Sequence, residues 1–158
     1  MDSTERAWLL EQYDAGYARV VEVLEVLPRD AWHFKPAPEC WSIHEIIIHL
    51  ADSEAAGYFR CRKLIAEPGS TITPYDEQRW AEAFNYPAQD TEQALELFRL
   101  LRSSTYSLLK QLPDSVWSHS IHHPERGTMT LTDWLQSWTN HVAIHTSQML
   151  QTYQVSQT

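Results

Sequence analysis

Two histidines lie four residues apart near the carboxyl end of the chain, His141 and His145. On a helix, side chains at positions i and i+4 share a face, so the two imidazoles can converge on one point. Spacings of three and four residues align them with Trp134, Trp138 and Met149, in a stripe that would otherwise be apolar. Buried imidazoles need partners. A divalent cation would satisfy both, because neutral imidazole is a common ligand of zinc, nickel, copper and iron.

A third donor is expected from a neighbouring helix, and His49 is the candidate. It begins the run HLADSE, and the small residues Ser53 and Ala56 follow it on the same stripe, leaving room for a solvent-filled cavity. Three protein ligands leave positions open for water or substrate, which is typical of a catalytic rather than a structural metal site. The sequence therefore predicts one divalent ion held by His49, His141 and His145.

The other histidines do not fit this site. His44 is five positions before His49, roughly 140° around the helix, so it cannot share that face. Four more are expected in loops, at the surface or anchoring a loop: His33, His119, His122 and His123. A histidine pair at helical spacing is also common in hydrogen-bonded cores, so a plain structural bundle with buried histidines stays open as an alternative.

Several further residues are candidates for work at such a site. Asp52, one turn beyond His49, is the candidate catalytic residue, either orienting an imidazole or assisting proton transfer. The alternative is that Asp52 is a solvated helix residue. Glu125 could support the site from the following loop, but fixing that loop is the favoured interpretation. A lid or a pocket wall could be formed by three residues of the long connection, Tyr75, Asp76 and Trp80. For Trp80, structural anchoring is the favoured interpretation.

Helical periodicity indicates which elements carry these residues. Four helices are expected, at about Ser3 to Leu27, Ser42 to Ala66, Asp90 to Leu112, and Thr130 to Tyr153. Three of them stop at prolines, which cannot continue a helix. Ser42 with Glu45, and Thr130 with Asp133, have the spacing of capping boxes. We expect the residues after Tyr153 to be frayed. The fold class expected is an all-α four-helix bundle that forms a single domain over residues 1–158.

The long connection over about residues 67–89 predicts the topology. Adjacent antiparallel helices need only a few linking residues, so this segment should cross the length of the bundle. Helical rise places His49 about 10 Å from the start of its helix. If the fourth helix runs antiparallel to the second, His145 lies about 12 Å and His141 about 18 Å from the same end of the bundle. If the two helices run parallel, these depths become roughly 22 Å for His145 and 16 Å for His141. The antiparallel choice brings the three together and gives an up-down-down-up order.

Composition excludes several classes of protein. The chain has 158 residues, enough for one domain with a sizeable core. A formal charge of −9 without a basic stripe argues against a nucleic-acid partner. No signal peptide is recognisable, and no apolar run approaches the roughly 20 residues of a membrane span. Two cysteines are too few for a disulfide framework, so we expect a cytoplasmic protein.

Four stretches of the chain resemble the DinB-like superfamily, and within it the YfiT-type branch of metal-dependent hydrolases and bacillithiol transferases. They are WSIHEIIIHLADSE, PYDEQRW, HPERG and NHVAIHTSQ. The resemblance implies the same bundle, frequent homodimers, and a metal triad that matches His49, His141 and His145. It also implies nickel or zinc as the ion, with iron or manganese as further candidates. Many relatives have Arg-Gly after the last ligand, where this chain has Thr146-Ser147.

These observations favour a metal-dependent enzyme acting on small molecules, either a thiol S-transferase or a hydrolase. A bound ion could lower the pKa of a water molecule, or hold a low-molecular-weight thiol as thiolate. Neither Cys40 nor Cys61 lies near the expected ligands, so an attacking sulfur would arrive with a cosubstrate. The alternative is a metal-binding, stress-related bundle protein without catalytic activity.

Overall fold

A computed structural model describes residues 2–158. Its described part contains six α-helices and a two-stranded sheet, with short 3₁₀ helices at Arg29–Ala31, Tyr86–Ala88 and Asp114–Ser118. The helices are α1 (Ser3–Asp14), α2 (Gly16–Val26), α3 (Ile43–Ala66), α4 (Glu77–Ala83), α5 (Thr91–Leu109) and α6 (Leu131–Ser156). The strands are β1 (Ser120–His123) and β2 (Gly127–Thr130). The all-α four-helix bundle is confirmed, with α1 and α2 together forming its first helix.

Cross-helix contacts give the direction of each helix. Along α3, Glu54 pairs with Arg102 and Arg62 then reaches Ser104, so α3 and α5 run parallel. The predicted up-down-down-up order is confirmed, because parallel neighbours require the crossing connection that α4 occupies. None of the helices in residues 2–158 has the length and apolar character needed to cross a membrane.

The pair α3 and α6 is antiparallel. The ring of His49 lies against that of His141, whereas Gly57, two turns later on α3, packs against the indole of Trp138. A Cβ atom at position 57 would lie 2.0 Å from the indole Nε1, so only glycine permits this approach. The two helices that carry the histidines are therefore in close contact at the level of the predicted site.

Both predicted capping boxes are present at the helices that carry the histidines. The Glu45 amide donates to the Ser42 hydroxyl at 3.2 Å, and the Ser42 amide donates to the Glu45 carboxylate at 2.8 Å. The same reciprocal pair links Thr130 and Asp133, at 3.1 and 2.9 Å. These caps satisfy backbone donors that would otherwise lack partners, and so determine where the two helices begin.

The prediction of one continuous helix from Ser3 to Leu27 was wrong, because the helix is interrupted at Ala15. Beside the break, Nε of Arg102 donates to the Tyr13 carbonyl at 2.6 Å. Gly16 leaves space for this guanidinium, since a Cβ atom there would lie 2.7 Å from its Nε. A buried side chain from α5 therefore donates a hydrogen bond to a backbone carbonyl of α1 where the helix is interrupted.

The segment around residues 120–130 was expected to be a loop and is a β-hairpin. His122 and His123 lie in β1, paired with Thr128 and Gly127 of β2. The HPERG stretch forms the turn, and Gly127 has a φ of +74°, a conformation that favours glycine. Two helix ends also differ from expectation: α5 stops at Leu109, and α6 continues to Ser156, so most of the expected frayed tail is helical.

Candidate metal centre

His49 of α3 and His141 and His145 of α6 lie together in the bundle, and one ring nitrogen from each is within 4.8 Å of the others. Nε2 of His141 is 3.3 Å from Nε2 of His49 and 3.0 Å from Nε2 of His145. His49 is fully buried, and His145 is buried as well. The i,i+4 spacing and the antiparallel helix pair thus bring all three imidazoles to one point.

The donor set fits a divalent cation. Nitrogens bound to one tetrahedral ion at about 2.0–2.1 Å lie about 3.3 Å apart, close to the separations seen here. Nδ1 of His145 is 2.8 Å from the Gln148 side-chain oxygen, which can only accept, so Nδ1 carries the proton and Nε2 presents a lone pair. A cation at the centre would satisfy such inward-facing lone pairs, and imidazole donors suit nickel, zinc and iron.

Burial keeps the three imidazoles in the neutral form that binds metals. Desolvation lowers the pKa of His49 to about 2, with smaller contributions from His145 and His141. Burial also lowers the pKa of His141 to about 3 and lowers that of His145, against the hydrogen bond to Gln148. Nδ1 of His49 has no hydrogen-bond partner among residues 2–158. A metal bound to Nε2 would leave this nitrogen unpaired as well, so it does not distinguish a metal centre from a hydrogen-bonded core pair.

Trp41 covers the cluster from one side and was not among the predicted site residues. Its ring centroid is 4.4 Å from that of His49 and 6.4 Å from that of His145. Its indole Nε1 donates to the side chain of Gln78 in α4 at 3.1 Å. Trp41 stands just before the cap of α3, at a position where helical periodicity gives no information. Its contacts exclude solvent from this side and tether α4 to the site.

On the other side, the cluster opens through His141 into a cavity of about 370 Å³. Ser53, one turn beyond His49, lines this cavity as the sequence predicted, whereas Ala56, the second small residue of that stripe, is not among the lining residues. The wall combines apolar side chains with charged ones, and includes Arg60, Ile72, Tyr75, Glu77, Ile121, Glu125, Arg126, Met129, Trp134 and Trp138. A small molecule in this cavity would have direct access to the imidazole of His141.

Asp52 lies away from the cavity. Its carboxylate accepts a hydrogen bond from the Tyr86 hydroxyl at 2.7 Å, and within the described chain no hydrogen bond joins it to the three imidazoles. Burial and this hydrogen bond raise the pKa of Tyr86. His44 reaches the same connection, with Nε2 3.2 Å from the Tyr86 carbonyl. The observed contact of Asp52 tethers the connection to α3; its catalytic role stays a prediction.

The residues singled out in the connection and the hairpin have different places. Tyr75 lines the cavity and packs on Trp80, with ring centroids 4.2 Å apart. Asp76 caps α4 by accepting from the Arg79 amide at 3.0 Å. Glu125 is exposed at the hairpin turn and lines the cavity mouth. Tyr75 and Glu125 therefore belong to the pocket wall, whereas Asp76 and Trp80 position the segment.

A buried charged network lies beside the centre. The side chains of Arg102 and Glu54 are each 2% exposed and are 2.8 Å apart. Glu54 also accepts from the Tyr13 hydroxyl at 2.5 Å, and Arg102 donates to the Trp138 carbonyl at 3.2 Å. Burial raises the pKa of Glu54, whereas Arg102 and the Tyr13 hydrogen bond oppose that rise. Arg102 lies on the apolar stripe of α5 with Phe98. A charged residue on such a stripe is the sequence signal that could have predicted this buried ion pair.

Comparison with known proteins identifies the family. The model of the DinB superfamily matches residues 12–149, so the chain belongs to the DinB superfamily. A relative from Oceanobacillus iheyensis, named "Putative metal-dependent hydrolase", is 35% identical over 91 residues, covering 58% of this chain and 52% of the relative. "Putative metal-dependent hydrolase YfiT" of Bacillus subtilis is 28% identical over 117 residues, covering 74% and 64%. The chain thus spans about half to two thirds of these relatives.

Solved structures show the same fold. That of Bacillus subtilis YfiT, described as having an unusual four-helix bundle topology, matches with a TM-score of 0.88 at 22% identity. The match covers 96% of this chain and 87% of that one. A mycothiol-dependent maleylpyruvate isomerase matches with a TM-score of 0.70 at 14% identity, covering 93% and 62%. The expected membership of the DinB-like superfamily and the expected four-helix bundle are confirmed.

Proposed function

We propose that this protein is a metal-dependent enzyme acting on small molecules, which either transfers a thiol to an electrophile or hydrolyses its substrate. His49, His141 and His145 would hold one divalent ion through their Nε2 atoms. The observation that carries the proposal is the convergence of these nitrogens at the wall of a 370 Å³ cavity. The names of the metal-dependent relatives and the thiol dependence of the isomerase with this fold support it.

Nickel or zinc is the expected ion, with iron or manganese as further candidates. Three imidazoles suit nickel, zinc and iron, whereas manganese prefers oxygen donors. When bound with three protein ligands, such an ion supplies Lewis-acid activation of a nucleophile, either water or a thiol. The fit of the ring-nitrogen separations to imidazole coordination supports one ion per chain.

The chain's own residues would prepare the site for this chemistry. Gln148 holds the proton of His145 on Nδ1 and so directs Nε2 inward. Trp41 covers one side of the cluster and limits the access of water there. Asp52 remains the candidate for proton transfer. In the structure its carboxylate accepts a hydrogen bond from Tyr86. If Asp52 moves a proton during the reaction, Asp52→Asn should lower turnover more than metal content.

The nucleophilic sulfur of a transferase reaction would come from a low-molecular-weight thiol. Cys61 is fully buried among apolar side chains, and burial raises the pKa of its thiol to about 12, so it cannot serve as nucleophile. The isomerase that shares the fold is described as mycothiol-dependent, which supports an external thiol. A cytoplasmic location and a homodimer are further expectations drawn from the sequence and the family resemblance.

Turnover measurements test the proposal. Protein loaded with nickel or zinc should exceed free metal in rate over a panel of thiol-plus-electrophile pairs, esters and amides. His145→Ala should abolish this excess, whereas His122→Ala, which removes an exposed imidazole of the hairpin, should retain it. Metal binding without any turnover over the whole panel would leave the protein as a non-catalytic metal-binding module and would refute the enzyme proposal.

A further inference from the structure

Two arginines face the cavity without a carboxylate partner. Arg60 extends from α3 and is half-buried, and Arg126 lies in the hairpin turn. The one hydrogen bond of Arg60 goes to the Thr73 carbonyl at 3.3 Å. Within residues 2–158, neither arginine takes part in an ion pair shorter than 4.0 Å. Arginine is otherwise a frequent partner of carboxylates, since its planar fork matches their two oxygens.

The charges around the cavity favour an anion. Burial lowers the pKa of Arg60, and the positive charge of Arg126 adds to this, whereas Tyr75 and Glu77 raise it; the guanidinium stays protonated at neutral pH. Two exposed carboxylates in the wall, Glu77 and Glu125, balance the two guanidinium groups. Within residues 2–158, no carboxylate oxygen lies within 4.0 Å of either guanidinium, so an anionic ligand could pair with the arginines directly. The site is half-enclosed, and charges there are poorly screened.

The guanidinium of Arg60 and the imidazole of His141 are related through one indole. The Arg60 Cζ is 5.8 Å from the ring centroid of Trp138, and this ring is 6.4 Å from that of His141. A ligand lying along this indole could meet the guanidinium with an anionic group and the imidazole with its reacting atom. The same cavity wall contributes apolar side chains, among them Ile72, Ile121, Met129 and Trp134.

We propose that the cavity selects small molecules that carry a carboxylate on a short apolar chain, with Arg60 and Arg126 as specificity-determining residues. The carboxylate binds the two guanidinium groups, and the chain lies along Trp138 toward His141. This inference rests on the proposed function, because it takes the cavity to be the substrate site. It extends that function by naming the charge and shape of the substrate.

Binding of two probes that differ only in charge tests the inference without turnover. The probes are 4-phenylbutyrate and its neutral amide, titrated by calorimetry into chelator-treated protein. We expect the carboxylate to bind at least ten times more tightly than the amide. Arg60→Gln and, separately, Arg126→Gln should each reduce this preference at least threefold. Arg62→Gln should preserve it, because that side chain points to Ser104 and Thr105 of α5.

Several outcomes would overturn the inference. They are equal affinities for the two probes, no binding of either, or an unchanged preference in both Arg60→Gln and Arg126→Gln. Arg126 is exposed, so its variant should fold even if the change at Arg60 disturbs α3. The result is separable from the proposed function. Metal-dependent turnover without a charge preference contradicts this inference alone, whereas a carboxylate preference in a protein that binds no metal contradicts the proposed function alone.

Discussion

Single side chains outside the histidine triad control its state. Gln148 lies one turn after His145 on α6 and accepts its Nδ1 proton at 2.8 Å. Without this contact the proton of His145 could move to Nε2, the nitrogen that faces the other two rings. A residue that binds no metal itself thereby determines whether a lone pair points at the site.

Gln148→Ala is expected to weaken metal binding about 10- to 100-fold, the usual cost of losing a group that orients a ligand histidine. Zinc affinity, measured by competition with a chromophoric chelator, provides the comparison. Gln151→Ala, an exposed glutamine on the same helix, is the matched control and should bind like the parent protein. Equal affinities of both variants and the parent would show that Gln148 does not orient the site.

The two cysteines should differ in reactivity because of burial. Burial raises the pKa of Cys61 to about 12, so at pH 8 about one thiol in ten thousand is ionised. The folded protein should therefore show one fast thiol with an aromatic disulfide reagent, the half-buried Cys40, and two after denaturation. Cys61 should react faster only as the pH rises toward 12. A Cys40→Ser variant that still reacts quickly at pH 8 when folded would contradict this prediction.

Among the elements, α5 bears on the site through one buried charge. Arg102 contacts the end of α1 at Tyr13, the carboxylate of Glu54 on α3 and the Trp138 carbonyl of α6. It therefore joins all four helices of the bundle beside the three histidines. The interruption of the first helix at Ala15 is the structural accommodation of this side chain.

Arg102→Met should lower the free energy of unfolding by about 3–5 kcal/mol, because it leaves the Glu54 carboxylate buried and unpaired. The loss should grow as the pH rises, since a carboxyl whose folded pKa is raised favours folding only while it is protonated. Denaturant unfolding at several pH values measures this. Arg99→Met, on an exposed face of α5, should change stability little. Adding Glu54→Gln to Arg102→Met should restore part of the loss; no recovery would argue against an unpaired carboxylate as the cause.

At the scale of the whole molecule, the sequence predicted the bundle and its topology well, because both depend on regular signals. The prolines and the capping residues Ser42 and Thr130 marked the ends of helices. The length of the connection predicted the crossing, and the spacing of His141 and His145 predicted convergence on one face. These are local or periodic properties of the chain, so they can be recognised without knowledge of the folded structure.

The parts that were missed depend on contacts between distant residues. The break at Ala15 is associated with Arg102, more than eighty positions away. Gly16 beside it weakens a helix locally, but a single glycine does not predict that contact. Strands of four residues are too short for an alternating pattern, so the hairpin was expected to be a loop. Trp41 and the arginines of the cavity acquire their places only when α3, α4 and the hairpin are assembled.

The central claim is that three imidazoles bind one divalent ion at the wall of the cavity. The most direct test is a crystal structure of protein loaded with zinc or nickel, with anomalous diffraction measured at the absorption edge of that metal. We expect one anomalous peak per chain, within about 2.0–2.2 Å of Nε2 of His49, His141 and His145. A peak at other donors, or no peak between the three rings in fully loaded protein, would contradict the claim.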